Sequence, residues 1–158
     1  MRTIPSPVLW ALCALALGAL LFDGSMPPGE AGSGAQATRS TQETEELLQG
    51  TWLREYSAQD VQVRRVLTLV PGGTFRESVR AVDAAGKVTE QAHEGNWFYD
   101  GSNLKRKYTL VDGKPPSRLN LPFATFEIAF ETRNEFTGVD HIHRNRIHYR
   151  RVAPETQP

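Results

Sequence analysis

The chain has a single cysteine, Cys13, and no excess of charge of either sign. A lone cysteine excludes an intrachain disulfide and a zinc site built from several thiolates. Because 18 Lys and Arg residues balance 18 Asp and Glu residues, general binding to nucleic acid or to an anionic lipid surface is disfavoured. The chain also lacks a Gly-x-Ser-x-Gly elbow, a His-Glu-x-x-His pair and a glycine-rich phosphate loop. We therefore predict a non-enzymatic protein that uses no cofactor.

Long apolar runs are also scarce, and the main one lies near the N-terminus, at residues 8–22. It is shorter than the roughly 20 residues that span a bilayer, and it follows a short opening that carries Arg2. We therefore predict that residues 1–22 form a signal peptide. An uncleaved membrane anchor is the alternative, because the small-residue site Ala35-Gln36-Ala37 lies far downstream. Either segment directs the remainder out of the cytoplasm, as a periplasmic, secreted or membrane-anchored protein.

A flexible linker and a short helix are predicted to follow. Residues 23–39 are rich in Gly, Pro, Ser and Ala, a composition that buries too little surface to fold. Ser40-Thr41-Gln42-Glu43 has the spacing of a capping box and predicts the start of a helix of about two turns. Its apolar patch is Leu47 and Leu48, and Gly50 can end it. Residues 40–153 are predicted to form one domain, with a disordered tail at 154–158.

From Gly50 onward, short runs that alternate apolar and polar residues are separated by turn residues such as Gly, Asn and Pro. The predicted strands are residues 50–57, 61–70, 74–83, 87–99, 103–111, 123–131, 135–142 and 146–152. In one of them Phe126, Ile128 and Phe130 share a face, opposite the acidic side chains. A meander of this kind indicates a closed barrel or a sandwich. We predict the all-β, antiparallel up-and-down barrel of about eight strands.

Two motifs at the ends of this domain carry a resemblance to a known family. Gly50-Thr51-Trp52 opens the first strand, and Tyr149-Arg150-Arg151 closes the last. With these two motifs, residues 47–152 resemble the lipocalin-like (calycin) β-barrels, and among them the small exported proteins of bacterial type. The resemblance implies a Gly-x-Trp at the first strand and a basic residue of the final strand over the indole. Arg151 shares the parity of Tyr149, so we assign it this cation–π contact.

An eight-stranded barrel has an interior that side chains fill or that holds one small ligand. We predict an exported, non-enzymatic binding protein for a small apolar or amphipathic molecule. The candidate ligand-binding residues are Trp97, Tyr99, Tyr108, Phe126, Phe130 and Tyr149. The alternative is an interaction module whose outer surface, the basic hairpin at residues 141–151, binds another exported protein.

Ionisable residues offer weaker candidates for chemistry. His141 and His143 have the i, i+2 spacing of some metal sites, and His148 or His93 could supply a third ligand. Strand parity turns the pair outward, towards nearby arginines, so we predict no metal site; metal-dependent activity at this pair remains open. Three glutamates could in principle form the acid/base pair of a hydrolase, but the alternation of the strands predicts that they are solvated instead. They are Glu77, Glu90 and Glu94.

Overall fold

The computed structural model describes the backbone of residues 31–117 and 122–158 and the side chains from residue 38 onward. The predicted signal peptide and the first part of the predicted linker lie outside these residues. Within the described residues there are one helix and eight strands: α1 (Ala31–Leu48), β1 (Gly50–Ala58), β2 (Val61–Val70), β3 (Thr74–Val82), β4 (Val88–Tyr99), β5 (Asn103–Val111), β6 (Phe123–Thr132), β7 (Glu135–Asp140) and β8 (Arg146–Val152).

The eight strands form a closed barrel in which each strand pairs antiparallel with the next along the chain. β8 returns to pair with β1, with Trp52 opposite Arg151. Closure removes the exposed sheet edges that a meander of short strands otherwise leaves. The predicted antiparallel up-and-down barrel of eight strands is confirmed.

Helix α1 differs from the sequence prediction at its N-terminal end. It begins at Ala31 rather than at Ser40. Ser40 therefore lies inside the helix, where its carbonyl oxygen accepts a hydrogen bond of 2.9 Å from Thr44 Oγ1. The capping-box spacing was misleading because the helix continues upstream into the segment for which the composition predicts a linker. In the part of the chain that the structure describes, no helix has the length and apolarity needed to cross a membrane.

The apolar core fills the end of the barrel next to α1. Leu48 at the end of the helix is fully buried against it, and Trp52 Nε1 donates a hydrogen bond of 2.7 Å to the Leu48 carbonyl oxygen. The Trp52 ring packs edge-on against Phe136, with centroids 4.8 Å apart. The buried members of this core are Leu48, Trp52, Leu67, Leu69, Phe75, Trp97, Leu104, Phe126, Phe136, Ile147 and Tyr149.

Arg151 connects the first and last strands of the barrel to the end of the helix. Its guanidinium lies over the Trp52 ring, 4.2 Å from the centroid, which is the contact that the lipocalin-like resemblance implies. It also donates hydrogen bonds to the carbonyl oxygens of Gln49 (2.8 Å) and Leu47 (2.5 Å) at the end of α1. These carbonyls have no partner within the helix, and a cation is favoured there by the helix dipole.

The glycine of the first motif has a physical explanation in this arrangement. Gly50 has φ of 125°, a value that side chains other than hydrogen rarely allow. A Cβ at this position would also collide with Arg151 Nη1. Gly50, Trp52 and Arg151 therefore form one structural unit, in which the glycine leaves room for the guanidinium over the indole.

Candidate functional site

The most unusual feature of the interior is a buried carboxylate, Glu77 of β3. It is 1% exposed, so the prediction that Glu77 is solvated is wrong, whereas Glu90 and Glu94 are exposed as predicted. Glu77 has the same parity as Phe75 and therefore points into the barrel with it. This parity was visible in the sequence, but alternation alone gives no partner that would make a buried charge acceptable.

Four donors from four different strands surround the Glu77 carboxylate. Its Oε1 accepts hydrogen bonds from Arg106 Nη1 (3.0 Å) and from the Tyr149 hydroxyl (3.5 Å). Its Oε2 accepts from Arg65 Nη1 (3.2 Å) and lies 3.0 Å from His93 Nδ1. Because an ionised carboxylate only accepts, Nδ1 of His93 carries a proton in this network. We refer to these five residues as the charged layer.

Glu77, Arg65 and Arg106 are ionised at neutral pH. Burial by itself raises the pKa of Glu77, but Arg106, the hydrogen bond from His93 and Arg65 outweigh burial and hold this pKa well below its usual range. Burial lowers the pKa of Arg106. The charge of the neighbouring Glu77 and its hydrogen bond raise the same pKa by a larger amount, so the net shift is upward. Burial and then the Glu77 charge raise the pKa of Tyr149 to about 12, which keeps its hydroxyl a donor.

The sequence analysis named neither Arg65 nor Arg106, and Arg106 is the more deeply buried of the two. It is 3% exposed, and its guanidinium lies 5.1 to 5.6 Å from the ring centroids of Phe75, Tyr108 and Phe126. Its Nε is buried without a hydrogen-bond partner among the described residues. Its parity with Leu104 could have placed it inside the barrel. The strand nevertheless looks polar, since Lys105 and Lys107 flank it.

Above the charged layer, at the end of the barrel remote from α1, the interior opens into a cavity of about 520 Å³. We call it the mouth cavity. It is lined by strand residues, which we call its floor (Arg65, Gln91, His93, Tyr108 and Val111), and by residues of the connection between β5 and β6, which we call its rim (Pro115, Pro116, Ser117 and Pro122). A larger depression of about 680 Å³ lies on the outer face, where Arg76, Glu94 and Pro154 help to line it. Only the first of these two reaches the charged layer.

All six predicted ligand-binding residues belong to the apolar core or pack against it. Tyr108 lines the mouth cavity. The others lie in or against the packed interior or next to α1: Trp97, Tyr99, Phe126, Phe130 and Tyr149. Trp97, for example, is 3% exposed and donates through Nε1 to the Val70 carbonyl oxygen. Tyr149 faces Glu77 rather than a cavity. The apolar half of the barrel is filled by side chains, and the mouth cavity lies on its polar side.

The strand geometry predicted for His141 and His143 is wrong, because β7 ends at Asp140 and both histidines lie in the following turn. His141 Nε2 lies 3.0 Å from Asn103 Oδ1, whereas His143 Nδ1 lies 3.1 Å from Asp140 Oδ2. Asp140 also accepts hydrogen bonds from the backbone N–H groups of Ile142 and His143, as in a tight turn. The two imidazoles therefore stabilise the hairpin through different partners.

A different group of described side chains has metal-ligand chemistry. Glu131, Glu135 and His148 point outward from β6, β7 and β8, and one donor atom from each lies within 4.8 Å of the others. Carboxylate oxygen and imidazole nitrogen form a donor set that Zn²⁺ accepts. Glu131 and His148 are solvent-exposed, however, and among the side chains that the structure describes nothing else on this outer face points to a cation.

Comparison with known proteins assigns no family: no family model matches the chain, and no curated protein matches its sequence. The functional conclusion therefore depends on the chemistry of the charged layer and of the mouth cavity above it.

Proposed function

We propose that this chain is an exported, non-enzymatic binding protein of lipocalin-like type that holds a small amphipathic molecule at the mouth of its barrel. The observation that carries the proposal is the mouth cavity, which combines polar interior groups with an apolar rim. The Gly50-x-Trp52…Arg151 unit supports the lipocalin-like type. The N-terminal apolar run at residues 8–22 supports export.

The composition of the cavity favours an amphipathic ligand over a purely apolar one. Small-molecule sites usually have an apolar lining and a few polar groups that orient the ligand. Here the polar groups are Arg65, His93 and Tyr108, and the apolar surface is Val111 with the rim prolines. An apolar group pressed against the guanidinium would remove water from a charge without replacing its hydrogen bonds, which is costly. A polar end therefore belongs at the floor and an apolar part at the rim.

The state of Glu77 supports binding rather than catalysis. A general base has to accept a proton at the working pH, and its best pKa lies near that pH. Glu77 is instead held ionised by Arg106, His93 and Arg65, with its pKa lowered. Its oxygens already accept four hydrogen bonds. The carboxylate therefore acts as the fixed counter-charge of the interior.

Native mass spectrometry of the full chain purified from its own host tests this proposal. We expect a bound small molecule that is lost after unfolding and refolding in clean buffer. Val111→Trp fills the cavity and should prevent ligand recovery, whereas Val70→Trp on the outer face serves as the matched control. Repeated recovery of an empty wild-type barrel, or equal occupancy in Val111→Trp, would contradict the proposal.

A second candidate function, binding of another exported protein, is favoured by the hairpin between β7 and β8. Ile142 at its tip is 52% exposed. Arg144 and Arg146 next to it are exposed and form no ion pair within the described part of the chain. Pull-down from the host envelope with wild type and with the double variant R144E/R146E tests this function. Loss of a specific partner in the variant supports it, and an unchanged set of captured proteins contradicts it.

A further inference from the structure

The charged layer contains one more positive than negative charge. The guanidinium groups of Arg65 and Arg106 share a single carboxylate, Glu77, at 3.2 and 3.0 Å. Arg106 lies deepest and is 3% exposed, whereas the Arg65 side chain is 25% exposed and forms part of the cavity floor. A buried cation without its own counter-charge is unfavourable. An anion placed beside Arg65 would correct this imbalance.

The charged residues around the layer do not remove the imbalance. Arg54 adds a further guanidinium, stacked 4.3 Å from the centroid of the Tyr56 ring. Asp140 adds a carboxylate, but its oxygens already accept hydrogen bonds from the turn that follows β7, including those from Ile142 and His143. These two charges cancel each other in number. Among these described residues, Arg54, Arg65 and Arg106 are matched only by Glu77 and Asp140, so the group is one negative charge short.

Donors remain available at the cavity floor. Arg65 uses Nη1 for Glu77 and Nε for the Tyr56 hydroxyl, so Nη2 has no partner among the described residues. The Tyr108 hydroxyl likewise donates to no described residue, and its side chain lines the cavity. Burial raises the pKa of Tyr108, so this hydroxyl is protonated at neutral pH. A guanidinium N–H from β2 and a phenol O–H from β5, which line the same cavity, suit the two oxygens of a carboxylate.

We propose that the ligand is an amphiphile with a single carboxylate, which binds Arg65 and Tyr108 at the cavity floor while its apolar part lies against the proline rim. This inference rests on the proposed function. One negative charge matches the excess of one positive charge, whereas a phosphate monoester would carry more. The apolar part stays at the mouth because Phe75, Phe126 and Arg106 fill the barrel beneath the charged layer.

Calorimetric titration of the refolded, ligand-free full chain tests the inference. The probes are linear carboxylates from butanoate to dodecanoate and 3-phenylpropanoate, each with its matching alcohol and primary amine. We expect saturable binding of at least one carboxylate, with the matching alcohol and amine at least about tenfold weaker, since a charge-assisted hydrogen bond is lost. R65Q should weaken carboxylate binding by a similar factor, and Y108F by less. R76Q, on the outer face of β3, should leave it unchanged.

The outcomes separate this inference from the proposed function. Equal binding of carboxylate, alcohol and amine would overturn the carboxylate assignment while supporting a binding cavity. Carboxylate binding that survives in both R65Q and Y108F would overturn the assignment to these two residues. Absence of binding by every probe, together with empty protein from the native host, would overturn the proposed function itself. Y108F removes only one hydroxyl group, so it keeps the test valid if R65Q fails to fold.

Discussion

Replacement of Glu77 by Gln tests whether the charged layer depends on its single carboxylate. The substitution keeps the size of the side chain but removes the counter-charge of Arg106, which is 3% exposed. Removing one partner of a buried ion pair costs about 3–5 kcal/mol, because the remaining charge is left without compensation. Small domains have total stabilities of about 5–15 kcal/mol. We therefore expect E77Q to lose a large share of the free energy of unfolding.

Urea unfolding followed by tryptophan fluorescence measures this loss, because Trp52 and Trp97 are both buried in the core. E55Q is the matched control: Glu55 pairs with Arg64 and Arg150 on the outer face, with its side chain 48% exposed. Exposed pairs contribute about 0–1 kcal/mol, so E55Q should differ little from wild type.

A double variant locates the cause of the E77Q defect. E77Q/R106M removes both members of the deepest pair and replaces the guanidinium by an apolar chain. Such replacements are often neutral or stabilising, so we expect the double variant to recover most of the lost stability. An E77Q defect no larger than that of E55Q would refute the electrostatic interpretation, and so would a double variant less stable than E77Q.

Four further predictions follow from named contacts. The pKa of Glu77 is lowered on folding, so its contribution to stability is present above the unfolded value of about 4.3 and is lost as pH falls. The free energy of unfolding of E77Q should therefore fall less steeply than that of wild type when the pH is lowered. An identical acid-unfolding curve for the two proteins would contradict this. The pKa of Tyr149 is raised to about 12, so stability should fall as pH rises from about 10, the unfolded value, through 12; circular dichroism should show less alkaline loss in Y149F. R151M removes two hydrogen bonds to carbonyl oxygens and a cation–π contact, so urea unfolding should show a free energy of unfolding lower by about 2–4 kcal/mol. The control R150M, whose side chain is 50% exposed, should lose about 0–1 kcal/mol. G95A places a Cβ against the Lys107 carbonyl oxygen of the paired strand and should lower the free energy of unfolding by about 1–3 kcal/mol. A melting temperature of G95A equal to that of wild type would show that the two strands can move apart there without strain.

Much of the barrel could be predicted from the sequence because its signals are local. Alternation of apolar and polar residues is a property of each strand alone, and turn residues mark where each strand ends. Three strands, β2, β5 and β8, have the predicted bounds. The prediction was wrong at the N-terminal end of α1 and at the end of β7. In both places a local pattern was misleading. The capping-box spacing lies inside a longer helix, and the alternating His-Ile-His lies in a turn after the strand has ended.

The sequence by itself determined the sheet and the direction of its apolar faces, whereas the contact between Trp52 and Arg151 was implied by the resemblance to lipocalin-like barrels. The charged layer was decided by the tertiary structure. Glu77 and Arg106 are separated by 29 residues in the chain and become compatible with burial only when the closed barrel brings their strands to one interior. A charge is buried at acceptable cost when partners satisfy it. Those partners come from β2, β4, β5 and β8, so no local pattern could have shown them.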